Sequence, residues 1–321
     1  MSDMVLARLD AVRVSVGPPR AGDPPALVES GQSCREEAVK GRDAMSNDPT
    51  IHRFPVIQEG AFANAYLVET RSGVVAVDGL LTLSGANEMR TALDRLGKPL
   101  RAALLTHSHP DHYAGLGQIV AGYDVPIIAP QGVIDTITTD DAIKDQIVGP
   151  MFGDEWPKNR VFPNTPIRDG ESVTFDDVTF TVIDLGPSES PHDSPWVLGD
   201  DERIVFLGDQ IYDHRHCYLA DGYYGEWLAN IEKLRARFPD DAVLHIGHGG
   251  PVGREMWDWQ RGYIERFLDA VSGADWSEPE SATATVVSRM KDYEPSDELQ
   301  FLMELSIEPV AARQGLLSLS A

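Results

Sequence analysis

Apolar residues recur along this chain with two periods, and the elements they predict alternate. Residues 62–69 and 74–77 read as two strands around the turn Arg71-Ser72-Gly73. Helical spacing follows over 84–96, with Ser84 as the candidate N-cap and Gly97 as the stop. The run 101–105 reads as a buried strand. A helix is expected over 111–121, opened by Pro110, whose missing N–H is not needed in a first turn. The alternation continues with a strand at 125–129, a helix at 132–147, and strands at 173–175 and 178–185 around Asp176-Asp177. Strands at 196–198 and 204–207 come next, then a helix at 226–238, a strand at 243–246, a helix at 255–271, and terminal helices over about 281–317. Two irregular stretches interrupt this order. One, 149–160, carries Trp156 and two prolines and could border a cleft; the other, 211–225, is crowded with Tyr and His. The strands fall into two blocks, each followed by helices, as expected where helices cover both faces of packed sheets.

The first 48 residues break with this pattern. Prolines and glycines crowd positions 17–25, and the segment has no aromatic residue with which to offset its ordering entropy. The expected organisation is a disordered extension over 1–48, one globular α/β domain over 49–275, and a helical C-terminal extension over 276–321.

The polar positions that follow the strand at 101–105 carry the chemistry. His107, His109, Asp111 and His112 lie within six residues. Neutral imidazole nitrogens and carboxylate oxygens are what Zn²⁺ and similar divalent ions bind. His107 and His109 alternate along an extended turn and can point the same way, whereas Asp111 and His112 open the next segment and can face a second point. The bland alternative is a histidine-rich loop that holds no ion.

The motif H-x-H-x-D-H after an apolar strand resembles that of the metallo-β-lactamase-fold hydrolases, over about residues 51–270. The resemblance implies a four-layer αβ/βα sandwich, with two mixed β-sheets packed face to face and helices on both outer faces. Later motifs of that family fall in order. Gly208-Asp209 matches its bridging carboxylate, His248 between glycines matches its last ligand, and Asp78 at a strand end matches an aspartate that supports the metal loop through hydrogen bonds. One position departs from the family. Where it usually carries a histidine in a Gly-Pro-Gly-His-Thr-like turn, this chain reads Gly186-Pro187-Ser188-Glu189-Ser190-Pro191-His192-Asp193-Ser194. Alignment puts Glu189 at the ligand position, with His192 as the alternative and an incomplete site as the third reading. A carboxylate there makes the site harder and favours Mn²⁺ or Fe²⁺ relative to Zn²⁺.

The activity this implies is metal-dependent hydrolysis. His107, His109 and Glu189 would hold one divalent ion, and Asp111, His112 and His248 a second. Asp209 would bridge them, and Asp111 and Asp209 are the catalytic candidates. The ions expected are two zincs, with iron or manganese as the alternatives that Glu189 introduces. A hydroxide held between the ions would attack an ester, thioester, lactone or β-lactam carbonyl, because bound cations lower the pKa of water from about 16 to about 7. A second reading keeps the fold but uses a single iron for persulfide dioxygenase-like chemistry, and a third is a non-catalytic metal-binding member. The aromatic and histidine residues after Asp209, from Tyr212 to Trp227, could line the cleft or simply pack the loop.

Composition narrows the partners. Lys and Arg total 27 against 51 Asp and Glu, a formal net charge of −24, which repels nucleic-acid phosphates and anionic lipid headgroups. Cys34 and Cys217 give no disulfide framework. No run of about 18 apolar residues occurs, and the first twenty residues lack the apolar core of a secretory signal. The expectation is therefore a cytoplasmic protein acting on a small molecule, with no nucleic-acid or membrane partner; a homo-oligomer is left open.

Overall fold

The computed structural model describes residues 49–56 and 61–318, together with the backbone of residues 37–39. The extension expected to be disordered, 1–48, otherwise lies outside the described residues, as does Cys34. Two sheets form the fold. The first has seven strands in sequential order: β1 (Glu37–Val39), β2 (Thr50–Pro55), β3 (Asn64–Glu69), β4 (Val74–Val77), β5 (Leu100–Leu104), β6 (Ile127–Pro130) and β7 (Thr165–Ile167). The second has five, in the order β12 (Val243–His248), β11 (Ile204–Tyr212), β10 (Trp196–Leu198), β9 (Val178–Val182) and β8 (Ser172–Phe175). Parallel and antiparallel pairs occur in both sheets.

Side-chain alternation along each strand builds the layers. In β4, Val75 and Val77 enter a core shared with Phe180, Trp196 and Phe206 of the other sheet, while Val74 and Ala76 face the opposite way. That opposite face is covered by α1 (Leu83–Leu96), through Met89 and Leu93. In β11, Phe206 points between the sheets, and Val205 and Leu207 point outward onto α5 (Tyr224–Arg237) and α6 (Met256–Ser272). The result is the four-layer αβ/βα sandwich. Helices α7 (Pro279–Lys291) and α8 (Gln300–Arg313) belong to this outer layer: Val286, Met290, Met303 and Ile307 share one core with Val205 and Leu244.

Several local expectations change. The N-cap of α1 is Thr82, not Ser84; its hydroxyl accepts from the Gly85 amide, and the Ser84 amide donates instead to Glu155. The helix expected over 111–121 is two separate turns, α2 (Pro110–Tyr113) and α3 (Leu116–Ile119). Gly115 breaks it, because its amide donates to the Leu80 carbonyl and its backbone packs where a Cβ would lie 2.3 Å from the Gly79 oxygen. Helix α4 (Gln131–Phe152) runs longer than expected and absorbs the start of the stretch read as irregular. β11 continues five residues past the expected end at Leu207, through a register shift at Gly208. Strands β2 and β7 lie outside the expected set; β7 is three residues long and contains Pro166, so that it carries little alternating signal.

Cross-links between the sheets bring their strand ends together. Trp196 Nε1 donates to the Leu105 carbonyl at 2.8 Å, and the Ser194 amide to the Thr106 carbonyl at 2.6 Å. At the other flank Asn64 donates to the carbonyls of Ile246 and Gly249, and the Tyr66 hydroxyl also donates to Ile246. The loop after β5 is therefore fixed opposite the ends of β11 and β12. No helix among the described residues is long and apolar enough to cross a membrane.

Candidate metal centre

The centre is assembled on Thr106 and Asp78. Asp78 ends β4 in the left-handed region (φ 61°), which turns its carboxylate across to the β5 loop. Its Oδ1 accepts from the Thr106 amide at 2.9 Å and its Oδ2 from the Thr106 hydroxyl at 2.8 Å. The same Oδ2 lies 2.9 Å from His112 Nδ1, which leaves Nε2 of that ring facing inward. His107 is oriented in the same manner, with Nδ1 3.0 Å from the Thr106 hydroxyl.

Two groups of side chains result. His107, His109, Glu189 and Asp209 form one, and Asp111, His112, Asp209 and His248 the other; within each, the donor atoms lie within 4.8 Å of one another. Asp209 belongs to both. Its Oδ1 is 3.3 Å from His112 Nε2, and its Oδ2 is 2.9 Å from His248 Nε2 and 3.7 Å from His107 Nε2. Glu189 Oε2 is 3.1 Å from His109 Nδ1 and 3.9 Å from His107 Nε2. His192 does not join either group. Its Nε2 is held by Asp184 Oδ1 at 2.6 Å, so the alternative ligand suggested by the sequence is engaged elsewhere and Glu189 occupies the inward position.

These groups fit a cation. His107 Nε2, His112 Nε2, Glu189 Oε2 and Asp209 Oδ1 are all buried, and despite the close approaches of His112 to Asp209 and of His109 to Glu189 none of these four atoms makes an aligned hydrogen bond, a costly arrangement unless something else satisfies them. Room is left by Gly247, where a Cβ would stand 1.7 Å from Asp209 Oδ1 and 2.8 Å from His112 Cε1.

The buried carboxylates and imidazoles act strongly on one another. Burial acts to raise the Asp209 pKa, but His248, His112 and His107 outweigh it and hold the carboxyl well below its usual range. Burial raises that of Glu189, with His109 opposing and Asp209 adding to the rise. Burial, followed by His112, pushes His107 well down. Burial also works against a proton on His248, yet Asp209 and Asp111 lift its pKa to about 9. In His109 the Glu189 and Asp221 carboxylates likewise overcome burial and raise it well above the ordinary value.

Two supporting side chains carry no motif. Asp221 Oδ2 holds His109 Nε2 at 3.1 Å, which directs Nδ1 inward. The Tyr212 hydroxyl lies 3.0 Å from Asp209 Oδ2 and 3.1 Å from Glu189 Oε1, and its ring stacks on His248 at 4.8 Å. The abundance of Tyr and His after Asp209 marked the region but singled out neither residue. Cys217 is buried beside Gln260 and belongs to neither group.

Fold and centre together define an αβ/βα sandwich protein with paired histidine–carboxylate groups suited to divalent metals. A model of the Metallo-beta-lactamase superfamily matches residues 59–248, more than half of the sequence, and the chain belongs to that superfamily. Among curated proteins it is 27% identical over 149 residues to a hydroxyacylglutathione hydrolase from Bdellovibrio bacteriovorus, covering 46% of this chain and 49% of the relative. It is 32% identical over 233 residues to an alkyl/aryl-sulfatase from Saccharomyces cerevisiae, covering 60% of this chain and 36% of that protein. The chain spans about half the length of the hydroxyacylglutathione hydrolases it matches. Among solved structures, a beta-lactamase domain protein from Burkholderia ambifaria superposes with TM-score 0.63 at 19% identity, over 88% of each chain. The sec-alkylsulfatase Pisa1 from Pseudomonas sp. does so with TM-score 0.58 at 18% identity, over 84% of this chain and 49% of its own. At these identities the structural likeness shows the fold alone.

Proposed function

We propose that this protein is a metal-dependent hydrolase that cleaves an ester-type bond in a small molecule, using two divalent cations, most simply zinc. The observation that carries the reading is the convergence of seven histidine and carboxylate side chains on two groups sharing Asp209, with unpartnered donor atoms facing inward. His107, His109 and Glu189 would hold one cation, Asp111, His112 and His248 the other, and Asp209 both. Cations bound there supply Lewis-acid polarisation of the scissile group and acidify coordinated water.

The chain's own residues do the positioning. Asp78, Thr106 and Asp221 fix the tautomer and direction of the imidazoles, and Tyr212 restrains Glu189 of the first group and the shared Asp209. His109, Asp111, Asp209 and His248 line the cleft as well as the centre, so a substrate held in the cleft lies against them. The relatives named as hydroxyacylglutathione hydrolase and alkyl/aryl-sulfatase support an ester-type bond without choosing its acid. The complete second group, Asp111, His112, Asp209 and His248, supports hydrolysis over single-iron oxygen chemistry.

The test is metal analysis paired with a substrate panel: an aryl ester, a lactone, an acylglutathione thioester, an alkyl sulfate and a β-lactam. Turnover of at least one, lost on chelation, restored by two equivalents of metal and abolished in Asp209→Ala, is the expected result. Turnover that survives chelation or the Asp209→Ala change would overturn the reading, as would one equivalent of iron with no hydrolysis.

A further inference from the structure

The two groups open into a cavity of about 590 Å³, within the size range of pockets that take a small organic ligand. Asp111, Asp209 and His248 form its floor. Its walls come from two helices far apart in sequence: α4 contributes Ile143, Ile147 and Met151, and α8 contributes Phe301, Leu305 and Pro309. Ile143, Met151 and Phe301 are 38%, 48% and 40% exposed, and they account for three of the five large apolar residues exposed among the described ones. Apolar exposure is therefore concentrated at this mouth rather than scattered, which marks a surface kept for an apolar ligand.

The charged residues of the cavity point the same way. Lys144 donates to the Ser108 carbonyl at 2.9 Å, and Arg313 to the carbonyl of Ala220. Both cations are thus turned toward backbone oxygens, while Asp135, Asp140 and Asp221 also line the cavity. An anionic tail would meet more carboxylates than cations here; an uncharged apolar chain meets Ile, Met, Phe and Leu.

We propose that the substrate carries an extended apolar chain, which lies between α4 and α8 with its cleavable group over Asp209. This rests on the hydrolase reading of the same centre. For a carboxylic ester the reaction adds water across the acyl C–O bond: the hydroxyl goes to the acyl carbon, the proton to the departing oxygen, and a long-chain acid and an alcohol are released. The floor holds the bond to be broken, and the α4–α8 walls select the chain.

The experiment has two arms. In the first, metal-loaded protein is given nitrophenyl esters from acetyl through hexanoyl to dodecanoyl. The expected result is a kcat/KM that climbs with chain length, by up to about fourfold per buried methylene, and a shallower climb in Ile143→Glu and in Phe301→Glu. The second arm titrates decanol, which cannot be hydrolysed, into the full chain by calorimetry. One equivalent should bind with a negative heat-capacity change, more weakly in both variants. Decanol binding without hydrolysis of any ester would remove the catalytic reading and leave the chain site standing. Hydrolysis indifferent to chain length, or a failure of decanol to bind, would overturn the chain site and leave the hydrolase.

Discussion

The hydroxyl of Tyr212 reaches Asp209 Oδ2 at 3.0 Å while its ring lies flat on His248, the interplanar angle being 10°. One side chain thus restrains two of the groups that face the second cluster and, through Glu189, one that faces the first. Burial, then Asp209 and Glu189, push its own pKa well above the ordinary phenol value, so it stays a proton donor. Tyr212→Phe keeps the stacking and removes only the donor. The expected outcome is a folded protein whose metal affinity falls by roughly tenfold or more in a chelator competition, as for other outer contacts of a metal site. Unchanged affinity would show that the two carboxylates hold their places without it.

Asp78 acts on the other side. Its carboxylate is shared by the Thr106 amide, the Thr106 hydroxyl and His112 Nδ1. Asp78→Asn preserves shape, and asparagine tolerates the left-handed backbone found there. The charge that orients His112 is lost. Metal affinity should drop by roughly 10- to 100-fold, with the far-ultraviolet circular dichroism unaltered; a loss of fold with no separate loss of metal would assign Asp78 to the scaffold alone.

Much of this arrangement is legible along the chain because it is local. His107, His109, Asp111 and His112 sit in one turn after a buried strand, and strand periodicity with helices following each block foretells layered sheets. Asp209 and His248 are legible only through family order, since nothing in their own neighbourhoods says that two parallel strands will place them side by side. Tyr212 and Asp221 escape notice for a related reason. Tyr212 faces inward because β11 runs on past its expected end, and Asp221 reaches His109 from a loop whose path no periodicity describes. Gly115 likewise reads as a tolerable helix residue until Gly79 is packed against it. The contribution of α8 to the cavity is the least legible feature, because it depends on helices packing across α6.

His245 gives a pH prediction away from the metal donors. It is buried between Tyr66 and Phe206, and burial, reinforced by Arg53, lowers its pKa from 6.5 to about 4. A histidine depressed in the folded state binds fewer protons there than in the unfolded chain below pH 6.5. Its contribution to stability is full above that value and is lost as pH falls toward 4, by about 3 kcal/mol at most. His245→Phe should remove this part of the acid limb. Urea midpoints taken above pH 6.5 and near pH 4 should differ less in the variant than in the parent; equal differences would mean that folding does not lower the His245 pKa.

Gly247 offers the sharpest separation of centre from fold. A methyl group at this position would stand 1.7 Å from Asp209 Oδ1, far inside contact distance, so Gly247→Ala must displace the carboxylate that both groups share. Overpacking of this kind costs about 1–3 kcal/mol, within the reach of a domain with three buried cores. Gly250→Ala is the matched control, since its added carbon would meet nothing closer than 3.7 Å. Gly247→Ala should fold, with a lowered melting temperature, and should bind neither cation at stoichiometry, whereas Gly250→Ala should load as the parent does. If both variants load alike, Asp209 is not the shared donor, and the pairing of the two groups through it would have to be abandoned.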